Sequence, residues 1–178
     1  MIIGVPKEIK LQEHRIGLTP ESVKALTDRN HEVLVENNGG FEAGFTNEDY
    51  LKNGAKIIET PEEIFKKAEL IVKVKEPQMK EVEMIREGQI IYTYLHLAAT
   101  KELTLGLMKT KSICIAYETV TDDSGRLPLL APMSAVAGRM SVQAGAHALE
   151  KKQKGRGLLI GGAPGVDPAN VVILGGGV

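Results

Sequence analysis

The sequence predicts an α/β fold around a largely parallel sheet. Three observations carry that prediction. Short apolar runs alternate with helix-start signals from residue 2 onward, and their spacing suits βαβ crossovers rather than hairpins. The last apolar run, Val171-Val172-Ile173-Leu174, enters a glycine cluster as the first strand of a nucleotide-binding unit does.

Taken in order, the candidate strands are Ile2 to Val5, Glu32 to Glu36, Lys56 to Ile58, Leu70 to Val74, Gln89 to Leu95 and Ser112 to Tyr117. Between the first two, Thr19-Pro20-Glu21-Ser22 combines an N-cap hydroxyl, a proline at the first helical position and an acid in the first turn. Val23, Ala25 and Leu26 give that helix its buried side. Thr60-Pro61-Glu62-Glu63 repeats the signal before Ile64 and Phe65, and Thr100-Lys101-Glu102-Leu103 opens a helix burying Leu103 and Leu107 with Met108 beside them. Asp122-Asp123-Ser124-Gly125-Arg126 is turn-rich and closes a first domain, residues 1–127.

Residues 128–178 then read as a connecting helix and the start of a second, truncated domain. From Met133 to Lys152, Met133, Val136, Ala137, Met140, Ala144 and Ala148 recur at helical spacing, with small residues that permit close backbone approach along a large buried contact. Such a helix serves equally as a core element, a domain connector or a subunit contact. The architecture expected is therefore a Rossmann-like sheet domain, a long helix and the first strand of a dinucleotide-binding domain cut short at Val178. In the fingerprint G-x-G-x-x-G, Gly175 supplies the tight turn and Gly177 the close backbone approach to a pyrophosphate. The third glycine, the phosphate-binding helix and the ribose-binding acid would all follow Val178.

Composition narrows the function classes. Lys and Arg number 22 against 23 Asp and Glu, so no global field favours nucleic acid or an anionic membrane. Cys114, the single cysteine, lies in an apolar run and reads as core filler in a reducing compartment. No stretch approaches the length of a membrane span and no basic leader precedes Ile2, which points to a cytoplasmic protein. No pair of histidines has metal-ligand spacing, and a G-x-S-x-G nucleophile elbow is missing.

Ligands of open α/β sheets bind outside the carboxyl ends of the strands. Arg15 lies in the loop after the first strand, Lys75 follows Ile71-Val72-Lys73-Val74, and His96 follows Ile90 to Leu95. Parallel strands share one carboxyl edge, so the three can converge on a single cleft. A guanidinium fork holds a carboxylate with two parallel hydrogen bonds, an ammonium suits a carboxylate or carbonyl oxygen, and an imidazole exchanges protons near neutral pH. The set fits a small 2-amino or 2-oxo acid. The bland readings are a surface arginine, a strand-end lysine like Lys73, and a histidine hydrogen-bonded under the next helix. His14, His31 and His147 occupy less telling positions.

At these residues the sequence resembles the NAD-dependent L-alanine dehydrogenase family. The resemblance runs through Gly4-Val5-Pro6-Lys7-Glu8, His14-Arg15-Ile16-Gly17-Leu18-Thr19-Pro20, Val72-Lys73-Val74-Lys75-Glu76-Pro77 and Tyr94-Leu95-His96-Leu97-Ala98. It continues through Pro132-Met133-Ser134 and Gly161-Gly162-Ala163-Pro164-Gly165-Val166, covering essentially the whole chain. It implies that Arg15 and Lys75 bind the carboxylate and carbonyl end of L-alanine or pyruvate, that His96 is the acid/base residue, and that Ser134, Gly177 and Val178 lie near NAD. By the same resemblance a catalytic aspartate and most of the cofactor domain follow Val178, so the chain alone is expected to be inactive. The resemblance also implies a homo-oligomer, commonly a hexamer, with the 133–152 helix as an interface element. Alternatives are the NAD-binding subunit of proton-translocating transhydrogenase, which shares the Arg-x-x-Leu-Thr-Pro start but needs no such histidine, and a non-catalytic fragment.

Overall fold

The computed structural model describes residues 1–175. Contacts divide the chain into two compact units, Met1–Glu118 and Thr119–Val178. In the first, six strands form one all-parallel sheet: β1 (Ile2–Val5), β2 (Glu32–Glu36), β3 (Lys56–Ile58), β4 (Leu70–Val72), β5 (Ile90–Thr93) and β6 (Ile113–Ala116), in the spatial order β3-β2-β1-β4-β5-β6. The order reverses between β1 and β4, so a crevice at the carboxyl edge falls between those two strands.

Helices cover both faces because successive strand residues point to opposite sides. Ile3 and Val5 of β1 join Val23, Val33, Val35 and Tyr50 in one core, while Ile71 and Ile91 join Ile64, Phe65, Leu103 and Leu107 in the other. Gly4 explains how closely the second layer approaches. A Cβ there would stand 2.6 Å from Ile64 Cγ2 and 2.8 Å from Ala68 Cβ.

Three helices start on a threonine side-chain cap, whereas the helix after Thr100 starts without one. Helix α1 (Pro20–Thr27) opens with Thr19 Oγ1 accepting from the Ser22 amide. Helix α2 (Asn47–Lys52) has a reciprocal box between Thr46 and Asp49. Helix α3 (Pro61–Lys67) opens with Thr60 Oγ1 accepting from the Glu63 amide, and α4 (Met79–Val82) is a single turn ahead of α5 (Lys101–Thr110). Leu103 and Leu107 are buried as expected, but Met108 and Ala25 face solvent, each lying off the buried stripe of its helix. Cys114 is half-buried on β6 and packs against the second core.

The strand expected over Leu70 to Val74 stops at Val72. Past Val5 the neighbouring strand runs into Pro6, and the amides of Val74 and Lys75 turn to the Glu8 carboxylate instead. In the second unit, α6 (Ala131–Ala148) replaces the expected 133–152 helix and is followed by a short 3₁₀ turn, Lys151–Gln153. None of its residues is buried, with Val136, Met140 and Val142 about half exposed or more, so the large buried contact expected of it is not made by the described residues. Residues 171–174 form no strand and stand largely in solvent, because a parallel strand needs a neighbour and none of the described residues pairs with them.

Candidate functional site

Arg15, Lys75 and His96 follow β1, β4 and β5, three adjacent strands across the point where the sheet order reverses. Parallel pairing puts all three on the carboxyl edge. The Arg15 loop is seated there by Ile16, buried in the first core, and by Gly17, whose Cβ would lie 2.5 Å from the Val72 carbonyl oxygen. Any side chain at Gly17 would lift the loop from the end of β4.

Glu13 fixes the arginine. Its carboxylate takes the Arg15 Nε–H at 2.7 Å and a terminal guanidinium N–H at 2.6 Å, and it also accepts the Arg15 amide at 2.9 Å. This bidentate bond holds the Glu13 carboxyl down at about 2. Lys75 adds to the same field, as does the charge of Arg15. The guanidinium is thus oriented but remains partly exposed, its side chain 42% accessible.

Lys75 is clamped by its backbone. Glu8 Oε1 accepts the Val74 amide at 2.6 Å and the Lys75 amide at 3.2 Å, and Thr93 Oγ1 donates to the Lys75 carbonyl at 2.8 Å. Glu8 Oε2 accepts from Lys73 Nζ at 3.1 Å, and Lys73 Nζ also donates to Glu81 Oε1 at 2.7 Å. Glu81 Oε2 in turn accepts the Gln78 amide that starts α4. Burial pushes the Glu81 carboxyl up against the pull of Lys73. The two lysines therefore differ completely: Lys73 is sealed in an ion triad, whereas the Lys75 ammonium has no ion-pair partner among the described residues.

His96 lies just past β5 with φ 47° and ψ 38°, in the left-handed region where a residue with a Cβ is strained. Glu118 offsets that strain. Its Oε1 accepts the His96 amide at 2.8 Å and the Leu95 amide at 3.1 Å. The imidazole is exposed and stacks on Tyr94, ring centroids 6.2 Å apart and 23° between planes. Tyr94 packs edge-on to Tyr117 at 4.9 Å and interacts electrostatically with Arg15. Burial raises its phenol against the opposing pull of Arg15. Tyr94 thus links the arginine side of the cleft to the histidine.

Among the cofactor candidates, Ser134 is half-buried on the first turn of α6, its amide bonded to the Leu130 carbonyl. Gly175 has φ 104°, which suits glycine alone, and open space where a Cβ would stand. Gly177 and Val178 lie outside the described residues. Elsewhere, His14 is hydrogen-bonded to Glu42 and His147 faces Glu150 at 3.4 Å. Glu8, Glu13, Tyr94 and Glu118 are the contributors that sequence reasoning missed. The signals available were weak: Tyr92 and Tyr94 alternate in one apolar run, Glu8 and Glu118 lie within four residues of a strand end, and Glu13 lies two residues before Arg15.

Residues 4–137 match the family model described as "Alanine dehydrogenase/PNT, N-terminal domain", and residues 141–178 match its C-terminal domain counterpart. The chain belongs to the alanine dehydrogenase/PNT family. It is 53% identical over 178 residues to an alanine dehydrogenase of Halomonas elongata, covering 100% of this chain and 48% of that protein. The figures for an alanine dehydrogenase of Methanococcus maripaludis are 52%, 100% and 48%. A solved L-alanine dehydrogenase superposes with a TM-score of 0.87 at 51% identity, over 99% of this chain and 49% of that one. A Sinorhizobium meliloti transhydrogenase shares the fold, with a TM-score of 0.74 at 23% identity over 84% of this chain and 45% of that one. The chain spans about half the length of the relatives it matches. Among the described residues no helix is long and apolar enough to cross a membrane.

Proposed function

We propose that this chain forms the substrate half of an NAD-dependent alanine dehydrogenase, with residues 1–127 as the substrate portion and residues 128–178 as the connecting helix and start of the cofactor portion. The observation that carries the reading is the placement of Arg15, Lys75 and His96 beyond three adjacent strands at the sheet's crossover point. Arg15, pre-aimed by Glu13, binds the substrate carboxylate through its exposed side. Lys75 places a positive charge at the substrate's carbonyl or carboxylate oxygens. His96 takes a proton at an imidazole nitrogen from the water that attacks the substrate's α-carbon, and returns it as ammonium leaves.

The positive φ of Gly175 fits the turn of a dinucleotide fingerprint, so Gly175, Gly177, Val178 and Ser134 are assigned to NAD. When bound, NAD supplies the acceptor for the Cα hydride of L-alanine. The overall change is alanine, water and NAD⁺ to pyruvate, ammonium, NADH and a proton. A homo-oligomer assembled through α6, whose apolar side chains are exposed, and a cytoplasmic location complete the reading.

The test is pyruvate titration of the chain by NMR, together with NADH production after coexpression with the remaining half of the Halomonas elongata relative. Arg15→Ala and Lys75→Ala should weaken pyruvate binding, and His96→Ala should lower turnover by about 10² to 10⁴ with little change in pyruvate affinity. Equal binding by all variants, or normal turnover without His96, refutes the assignment.

A further inference from the structure

We propose that Glu8 is a positioning residue for Lys75, holding the lysine's backbone across the crevice so that its ammonium is presented to substrate. The proposal rests on the reading of Lys75 as a substrate contact. Lys75 is fixed on both sides of its Cα, the amide by Glu8 at 3.2 Å and the carbonyl by Thr93 at 2.8 Å, while its charged head is left without an ion-pair partner among the described residues. A buried carboxylate bonded to two consecutive amides is a rigid clamp, because losing it would leave both donors unsatisfied.

The clamp comes from the other side of the crevice. Glu8 follows β1 and the amides it holds follow β4, so a single side chain fixes the distance between the loop that leads to Arg15 and the lysine. Lys73 serves the clamp in turn. Its ammonium holds the second oxygen of Glu8 and is itself held by Glu81, which keeps the Glu8 carboxylate aimed at the amides. This explains why two lysines separated by one residue have such different surroundings: one charge is used internally to aim a carboxylate, and the other is offered outward. The geometry also makes the idea separable from folding. In Glu8→Ala, Lys73 retains Glu81 as a partner, so no buried charge is orphaned.

The experiment uses the isotope-labelled chain, with amide hydrogen exchange and pyruvate titration read by NMR. In Glu8→Ala the Val74 and Lys75 amides should exchange at least about 10-fold faster while those of Ile71 and Ile91 keep their protection, because only the former lose an acceptor. Glu8→Gln retains a carbonyl oxygen for the amides and should restore most of that protection. Pyruvate affinity should fall about 10-fold in Glu8→Ala, yet Glu8→Ala should have no further effect in a Lys75→Ala background, since contacts acting through one group are not additive.

Unchanged exchange at Val74 and Lys75, or an equal loss of affinity in both backgrounds, overturns the proposal. If Lys75→Ala binds pyruvate as the parent does, the substrate reading of Lys75 fails and positioning for substrate fails with it. The exchange data then still report whether Glu8 holds the backbone, which separates that failure from failure of the clamp itself.

Discussion

Replacing Lys73 by Met is the sharpest probe of what holds the carboxyl edge together. The Lys73 side chain is 0% exposed and its two partners, Glu8 and Glu81, are 2% and 3% exposed, so the substitution leaves two facing carboxylates in the interior with no cation between them. Met is close to Lys in volume and creates little cavity, so the effect is electrostatic. Breaking a buried pair by removing one partner costs about 3–5 kcal/mol, a large share of the roughly 5–15 kcal/mol that holds a domain folded. Urea unfolding at pH 7, followed by circular dichroism, should show that loss.

The pH dependence supplies the sign. Burial already raises the Glu81 carboxyl against the pull of Lys73, so without Lys73 it stands higher still and the folded state binds more protons than the unfolded state. Stability of the variant therefore rises as pH falls toward the unfolded carboxyl range, and the gap to the parent narrows between about pH 7 and 5. A loss under about 1 kcal/mol at pH 7, the value of an exposed pair, or a gap that widens on acidification, would refute the reasoning.

Three further substitutions probe other parts of the fold. Gly17→Ala places a Cβ against the Val72 carbonyl oxygen at 2.5 Å, so the Arg15 loop must lift and pyruvate binding should weaken about 10-fold; unaltered affinity in titration would show that the loop does not need that seat. Gly4→Ala meets Ile64 and Ala68 at 2.6 and 2.8 Å and should cost about 1–3 kcal/mol in urea unfolding, whereas a neutral result would mean that α3 can shift away from β1. Glu13→Gln should remove acid sensitivity: the Glu13 carboxyl is lowered from 4.5 to about 2, so its stabilisation is complete above pH 4.5 and is lost as pH falls toward 2. Arg15 is partly exposed, which reduces the effect to about 1–2 kcal/mol, and identical acid unfolding of the two proteins would contradict it.

The first three strands were legible to the residue, because each is a compact β-branched run between turn signals. The next three were read too long at their ends. There periodicity runs on past the regular pairing, and at the end of β4 the Val74 and Lys75 amides turn to Glu8, a tertiary contact that the apolar run does not reveal. Helices α2 and α4 left too few residues for a periodic signal. Strand-end position was enough to nominate Arg15, Lys75 and His96. The groups that orient them were not legible, since Glu8, Glu13 and Glu118 act on backbone amides or on a neighbour's guanidinium, and a surface glutamate looks the same in sequence. The run 171–174 shows the converse: an apolar run specifies a strand only when something pairs with it.

The placement of β1 carries a consequence for how the chain must fold. It precedes both of its neighbours in the chain, flanked on one side by β2 and on the other by β4, which begins only at Leu70. Until that later segment emerges, one edge of β1 stays open and ready to pair wrongly. Glu69 closes the register when it arrives, its amide bonding to the Ile2 carbonyl at 2.8 Å and its side chain to the Ile2 amide at 2.6 Å. The loops that carry Arg15 and Lys75 reach the same sheet edge in that same event. The edge at which we place the substrate therefore forms late: it waits for β4 to cover the open side of β1, and it is completed only when β5 brings His96, so the proposed site depends on the same pairings that protect the chain from mispairing.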